Sequence, residues 1–344
     1  MNPARFQAIT GKYPQLRIAV VGDFSLDRYL EIDPAKKEIS LETNLPVYNV
    51  VNVRSQPGAA GTILNNLVAL GIGTIYPVGF SGNDGEGFEL RSALSAKAGI
   101  KLDYFLKTTD RRTFTYCKPL VMEPGKPPVE LNRLDSKNWT PTPAVVQRQV
   151  INAVQKLAAE VDAMILMDQV DMPETGVVTT KVLEAIKTVS RTRPELLILA
   201  DSRRGLRGYP SVIFKMNAAE LVALSGAKGP LGLEEIKQTA AALSRRQGRN
   251  VFVTLAERGL LGTSPDGGIE HVFALPVRAE IDIVGAGDSV TANLTAALAA
   301  GATVREAIEI ANAAASIVIH QLGTTGTASR AEIEKLLLAG KIPD

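Results

Sequence analysis

The chain reads as an α/β protein: a three-layer αβα sandwich around a mostly parallel central sheet, with a small β-sheet lid. Three observations predict it. From Pro141 to Leu255, stretches with helical apolar spacing alternate with short apolar runs, the pattern of βαβ units. Several of those runs end on an acidic residue, at Gly22-Asp23, Met167-Asp168 and Ala200-Asp201, which places Asp23, Asp168 and Asp201 on one rim where parallel strands open onto a ligand crevice. Between Tyr104 and Leu134 the pattern changes, with Thr113, Thr115 and Tyr116 interleaved among apolar residues and Pro124-Gly125-Lys126-Pro127-Pro128 separating two extended runs.

At 344 residues the length alone allows two domains, but no internal repeat or low-complexity linker divides the chain, so 1–344 is expected to be a single domain carrying a lid built from about 28–53 and 104–135. A hydrophobic content of 45% is ample for a core. A net charge of +2 and an aromatic content of 5% argue against nucleic acid as a partner. The single cysteine, Cys117, excludes an internal disulfide framework, and with His271 and His320 as the only histidines a zinc site or a Ser-His-Asp triad is a poor fit. No charged-then-apolar leader opens the chain and no apolar run is long enough to span a bilayer, so a cytoplasmic protein with no membrane partner is expected.

Taken in order, Leu16 to Gly22 is a buried parallel strand, and Asp23 and Asp27 flank its exit. Carboxylates four apart there suit the hydroxyls of a polyol, because an ionised carboxylate only accepts hydrogen bonds; a solvated loop with an Asx turn is the other reading. Leu45 to Val53, rich in Val with Tyr48, is a strand outside the parallel series. Pro57-Gly58-Ala59-Ala60-Gly61 is a small-residue turn into a helix from Thr62 to Leu70; it admits either a close ligand or a close helix. Ile75 to Gly79 is a strand and Asp84 to Lys97 a helix. The run from Tyr104 to Leu134 is a hairpin that joins Leu45 to Val53 in the lid. Helices follow at Pro143 to Glu160, Glu174 to Ser190 and Leu233 to Arg246, with strands at Ala163 to Met167, Leu196 to Ala200 and Val251 to Leu255. After Ile213 to Met216, Asn217 and Glu220 stand three apart at a helix start, where Glu220 is placed either to hold magnesium through water or to complete a capping pair.

The most informative stretch is Asp282-Ile283-Val284-Gly285-Ala286-Gly287-Asp288, which feeds an apolar helix to Ala300; a second Ala-rich helix runs from Val304 to Gln321. Gly285 and Gly287 flanking Ala286 let successive N–H groups approach an anion, and the partnerless first-turn amides and the helix dipole add positive character. Asp288 sits at that doorway. The dipole favours its ionised form, ready to take a proton from an attacking hydroxyl, or it is an N-cap and nothing more. The common phosphate motifs are absent: no Gly-Lys is followed by Ser or Thr, and Gly71-Ile72-Gly73 lacks the third glycine of a dinucleotide fingerprint.

Gly22-Asp23, Pro57-Gly58, Asn217 to Glu220 and Asp282 to Asp288, in that order, resemble the ribokinase-like (PfkB) carbohydrate kinases over nearly the full length. Within them the chain is most similar to the heptose 7-phosphate kinases of ADP-heptose synthesis, through Gly22 to Tyr29, Ile39-Ser40-Leu41-Glu42 with Pro46-Val47, and Ala311 to Ala315 with Leu322-Gly323-Thr324. The resemblance implies a ribokinase-like sandwich, ATP and magnesium as cofactors, activation by a monovalent cation such as K+ held by backbone carbonyls near Asp282, and a homodimer formed through the lid. It implies Asp288 as base, with Gly285, Ala286 and Gly287 as the anion hole. Asp23, Asp27, Gly58, Ala59, Thr62 and Asp168 would line the sugar site, Arg28 and Arg133 would meet a sugar phosphate, and Asn217, Glu220, Thr254, Glu257, Gly259 and Asn312 would lie on the nucleotide side.

The chain departs from the pattern at Ala59 (commonly Gly), Thr62 (often Asn), Glu38 (Arg in heptose kinases) and Val284 (frequently Thr). The first three bear on which sugar is taken; the last keeps the backbone amides. Heptose kinases are often fused to a nucleotidyltransferase, which the sequence to Asp344 does not contain. A fructokinase-like or ribokinase-like specificity, or a silent sugar- or nucleotide-binding regulator, are the competing readings.

Overall fold

Ile18-Ala19-Val20-Val21 shows neither polar alternation nor a helical stripe, and such a run is stable as a strand covered on both faces. In the computed structural model, which describes residues 1–227 and 229–338, it lies in the strand Arg17–Gly22, with Ile18 to Val21 all at 0% exposure. Alternate side chains enter opposite cores. Ile18 and Val20 pack with Ile63, Leu67, Leu294 and Ile310, whereas Ala19 and Val21 pack with Val150, Val182 and Ile236. Helices therefore cover both faces, and the architecture is the three-layer αβα sandwich.

The central sheet has nine strands. Arg17–Gly22 is flanked in parallel by Ala163–Asp168 and Thr74–Gly82. The parallel series continues through Leu197–Ser202, Ile213–Asn217 and Val251–Thr254 on one side and Phe105–Thr108 on the other. Leu260–Thr263 and Ile269–Val272 extend it antiparallel. Neither of these two strands, nor the helices Pro3–Thr10 and Arg330–Leu338, is anticipated from the sequence.

The lid is a second sheet of five strands. Phe24–Ile32 pairs antiparallel with Val50–Ala59 and parallel with Phe114–Val121, which in turn carries Val129–Glu130 and Leu134–Ser136. Three expectations are corrected here. The lid begins at Phe24, because Phe24, Leu26, Leu30 and Ile32 alternate with polar residues as a strand requires, and reading Asp23 and Asp27 as loop residues hid that period. Pro57-Gly58-Ala59 is extended; Val50–Ala59 is the edge strand, where a missing N–H is tolerated. Phe105–Thr108 belongs to the central sheet, with Phe105 3% exposed and its ring edge-on to Phe24 at 5.1 Å.

The chain crosses between lid and core four times; two crossings run through 109–113 and 137–143, and two are abrupt. Only Asp23 separates the central strand Arg17–Gly22 from the lid strand Phe24–Ile32. The other is Ala59, where the edge strand gives way to the helix Ala60–Ala69, and Ala60 N–H donates to Asp23 O at 3.0 Å. Ala59 has φ 54° and ψ −119°, a conformation that a side chain disfavours. No helix among the described residues is long and apolar enough to cross a membrane.

Ala59→Gly should raise the urea midpoint, by a gain on the order of 1 kcal/mol, since relief of the backbone strain exceeds the added unfolded-state entropy of Gly. An unchanged or lower midpoint would show that the methyl group packs well enough to outweigh the strain.

Candidate active site

Gly285 takes φ 82° and caps the helix Ala286–Ala299. The turn is held from below: Asp282 N–H donates to Ile319 O at 2.8 Å, Val284 N–H to Asp282 Oδ1 at 3.0 Å, and Ala286 N–H to Ile283 O at 3.2 Å. The amides of Gly285, Gly287 and Asp288 have no partner among the described residues. The donors left open in the turn are thus Gly287 and Asp288 with Gly285, while Ala286, expected among them, spends its N–H on the turn itself.

Lys215, absent from the sequence expectations, completes this corner. It lies 6% exposed in the strand Ile213–Asn217, and its ammonium pairs with Asp201 Oδ2 at 2.7 Å. Thr291, one turn into the helix, donates to the same oxygen at 2.8 Å. A Cβ on Gly287 would stand 3.2 Å from Lys215 Nζ, so the glycine leaves room for the ammonium beside the turn. Burial alone would lower the Lys215 pKa, but Asp201, aided by Asp288 and Glu220, holds it above its ordinary value. The signal was present in the sequence: a single charge inside the apolar run Ile213-Phe214-Lys215-Met216.

Asp288 sits in the helix's first turn, and its carboxyl is raised to about 7, first by burial and then by Asp201, against the opposing pull of Lys215. The expectation that the helix dipole keeps it ionised is therefore only half the account. Desolvation and a neighbouring carboxylate win, and the result is a carboxyl that exchanges its proton near neutral pH.

Asp27, expected at the sugar, carries its carboxyl on the lid strand Phe24–Ile32. It is 7% exposed, its pKa raised by burial and opposed by Lys118 and Arg133. Gly58, paired with Ser25 on the neighbouring strand, lies against it, and a Cβ there would collide with both the Asp27 carboxylate and Ser25 Oγ. Thr62, 1% exposed, backs the anion turn: a Cβ on Gly285 would stand 3.5 Å from its Cγ2.

Asp23 and Asp168 are engaged otherwise than expected. Asp23, 2% exposed, accepts from the main-chain N–H groups of Gln169 (2.9 Å), Val170 (3.2 Å) and Val177 (2.7 Å), which staples the 169–177 loop to the end of the central strand. Asp168, 1% exposed, accepts from Arg204 (2.7 Å), Ser202 (2.9 Å) and Tyr209 (3.1 Å). Burial raises both, Asp23 to about 6. Asp23 accepts through both oxygens, whereas Asp168 accepts only through Oδ2 and its Oδ1 is buried with no partner among the described residues. Arg28 is held by Glu89 at 2.9 Å, and Arg133 by Asp135 at 2.6 Å while its guanidinium lies over Tyr116.

On the nucleotide side, Asn217 and Thr254 are paired residues at the ends of adjacent strands. Asn217 and Glu220 form a capping box, with Asn217 Oδ1 accepting from Glu220 N–H at 2.9 Å and Glu220 Oε2 from Asn217 N–H at 2.8 Å. Glu220, raised by burial, also feels Asp201 and Lys215, so the cap and a place near the transferring group coexist. Glu257 lies in the short turn after Thr254, and Gly259 follows at φ 91°, where any Cβ would strike Val272 O. Asn312 donates to Phe273 O at 2.9 Å, which fixes the segment leading from the outer sheet toward the glycine turn.

A carboxyl near neutral pKa, a paired ammonium and partnerless amides at one helix start are the equipment of phosphoryl transfer. Among known proteins, the pfkB family carbohydrate kinases match residues 16–331. The chain belongs to the pfkB family. It is 30% identical over 93% of its length to the bifunctional protein HldE of Azorhizobium caulinodans, and 31% over 94% to that of Gluconobacter oxydans. It spans 64% of the length of each of these curated relatives. Its fold matches Escherichia coli phosphofructokinase-2 in complex with substrates and products (TM-score 0.71, 18% identity, 94% of this chain and 99% of that one). It also matches Arabidopsis thaliana ribokinase complexed with ribose and ATP (TM-score 0.66, 20% identity, 94% and 98%). The ribokinase-like architecture follows.

Because the Asp288 carboxyl rises from 3.8 to about 7 on folding, the native state binds its proton more tightly than the unfolded chain does. Its stabilising contribution is present below the unfolded value and is lost as pH rises through the folded one. Asp288→Asn should therefore melt higher than the parent at pH 8, with the gap closing toward pH 4; a gap independent of pH would contradict the assignment.

Proposed function

We propose that this kinase phosphorylates a hydroxyl of a sugar phosphate, heptose 7-phosphate being the leading acceptor, with ATP and magnesium as cofactors and Asp288 as base. The observation that carries the chemistry is the Asp288 carboxyl, raised to about 7 in the turn whose Gly287 and Asp288 amides are unspent. The residues present fit a magnesium-bound triphosphate. Asp201, Asp288 and Glu220 surround the one ammonium of Lys215, an excess of negative charge that a divalent cation offsets, and Glu220 is the ligand we assign to it. ATP supplies the phosphoryl group. Asp288 takes the hydroxyl proton, the free amides and the helix dipole receive the charge on the transferring oxygens, and Lys215, fixed by Asp201 and Thr291, meets it from the sheet side.

Asp27, Gly58, Ala59 and Thr62 form the acceptor wall in this reading, and Asn217, Thr254, Glu257, Gly259 and Asn312 the nucleotide wall. Heptose phosphate is supported by the motif resemblance and by the HldE relatives. A second reading, an unphosphorylated sugar in the manner of ribokinase or a fructokinase, draws on the carboxylates that already hold Arg28 and Arg133. Potassium near Asp282 is a further proposal; E. coli phosphofructokinase-2, a fold neighbour, was solved in complex with potassium.

A turnover screen of free and phosphorylated sugars, following ADP release, tests the reading. Release with heptose 7-phosphate alone supports it, and release only with free sugars installs the second. Asp288→Asn should abolish transfer and leave ATP affinity within a few fold, since the amides remain; undiminished turnover would remove Asp288 from the mechanism.

We further propose a homodimer through the lid, whose outer strands and loop expose Leu41, Leu45, Tyr48, Val51 and Val53 at 44–104%. Val51→Asp with Val53→Asp should halve the mass in sedimentation at micromolar protein; an unchanged mass excludes this face.

A further inference from the structure

One lid side chain reaches the anion-binding turn. Gln56 stands opposite Asp27 in the lid register, two residues before Gly58 on the same face of the strand. Its Nε2 donates to Thr325 Oγ1 at 2.9 Å, and Thr324 Oγ1 donates to its Oε1 at 3.4 Å. Both threonines belong to the loop after the helix Val304–Val318, which Gln321 holds through Thr327: Gln321 Nε2 donates to Thr327 O at 2.7 Å and Gln321 Oε1 accepts from Thr327 N–H at 3.1 Å. Thr325, 8% exposed, closes over Gly285, where a Cβ would lie 3.4 Å from Thr325 Cβ. The same loop begins at Ile319, whose carbonyl accepts the Asp282 N–H at 2.8 Å. The loop therefore grips the turn at two points, and the lid grips the loop at one.

The other polar ties from this part of the lid go elsewhere. Arg28 and Ser55 both meet Glu89, on the helix Gly85–Ser95, at 2.9 and 2.7 Å. Among the described residues no other lid side chain hydrogen-bonds the 319–327 loop. We infer that Gln56 is a positioning residue for phosphoryl transfer: through Thr325 it holds the edge strand Val50–Ala59, and with it the paired strand that presents Asp27, in fixed relation to the Gly285 turn. The inference rests on the transfer reading of that turn. In-line transfer needs the attacking oxygen within a few tenths of an ångström of its line to phosphorus, and acceptor and anion hole here stand on two separate sheets and a loop. A link between them acts on the rate of transfer. It has little reason to act on acceptor affinity, because Asp27 and Gly58 remain where they are.

The first test needs no acceptor. Hydrogen exchange of amides 282–289 in the full chain should accelerate several-fold in Gln56→Ala and in Thr325→Val, with the double variant no faster than either single one and the strand Val251–Thr254 unchanged. Thr325→Ser, which keeps the hydroxyl, should exchange as the parent does and guards against loss of fold. With the sugar that the turnover screen identifies, Gln56→Ala should lower kcat about tenfold or more with acceptor KM within about twofold. Unchanged exchange at 282–289 overturns the link whatever the acceptor proves to be. A raised acceptor KM with kcat and exchange untouched makes Gln56 a wall of the acceptor pocket and also overturns it. A parent that turns over no sugar refutes the transfer reading, and the exchange result still decides the link.

Discussion

The structure depends on keeping two carboxylates and one ammonium together out of water. Asp288 and Asp201 repel each other, and burial pushes Asp288 toward its protonated form. Lys215 offsets both, and the consequence is spread across the chain. A lysine must interrupt the apolar strand Ile213–Asn217, a threonine must stand at 291 to satisfy the remaining Asp201 lone pair, and residue 287 must lack a side chain. The balance is deliberately incomplete. Asp201 is well paired and Asp288 is not, so one carboxylate serves as an anchor and the other keeps an appetite for a proton near neutral pH.

The rim of the sheet divides its acidic residues by the same logic. Asp23 and Asp168 stand where parallel strands end, as Asp201 does, yet they serve as internal struts. Asp23 gathers three main-chain donors from a loop far along the chain, and Asp168 gathers three side chains from the next crossover. These struts hold the rim loops so that Asp27, arriving from the lid, and Asp288, arriving from the helix, face a defined space. Position at a strand end is thus far from sufficient to make a side chain a ligand contact.

Much of the fold was legible because its signals are local. The alternation from Pro141 onward and the buried run at Ile18 to Val21 led directly to the parallel sheet and its helices. The lid was legible only in part. Phe24–Ile32 alternates as a strand should, but Asp27 falls within it and drew attention as a ligand residue, and Pro57-Gly58-Ala59 has the composition of a turn while lying extended at a sheet edge. In the site, the glycine turn and Asp288 were readable because residue type and spacing carry the chemistry. The role of Asp23 was not, since its partners at 169, 170 and 177 are 146 to 154 positions away and are backbone groups that any sequence offers. Lys215 was readable in principle as a charge out of place. Its meaning required knowing that Asp201 and Gly287 converge on it.

The strands Phe24–Ile32 and Val50–Ala59 leave the core at Asp23 and rejoin it at Ala59, two points themselves joined by the hydrogen bond from Ala60 to Asp23, while Phe114–Val121 and Leu134–Ser136 tie the same sheet to the core through 109–113 and 137–143. The first strand pair is consequently a lever rooted beside Asp27 and Gly58. Rotation of a few degrees barely moves the residues at the pivot, yet sweeps the far tip around Leu41 and Tyr48 through several times that distance. Adding length or bulk at the tip costs the chemistry almost nothing, whereas a single methyl group at the pivot is felt at once. Divergence of such a scaffold toward new acceptors has its cheap positions at one end of the lever and its guarded ones at the other.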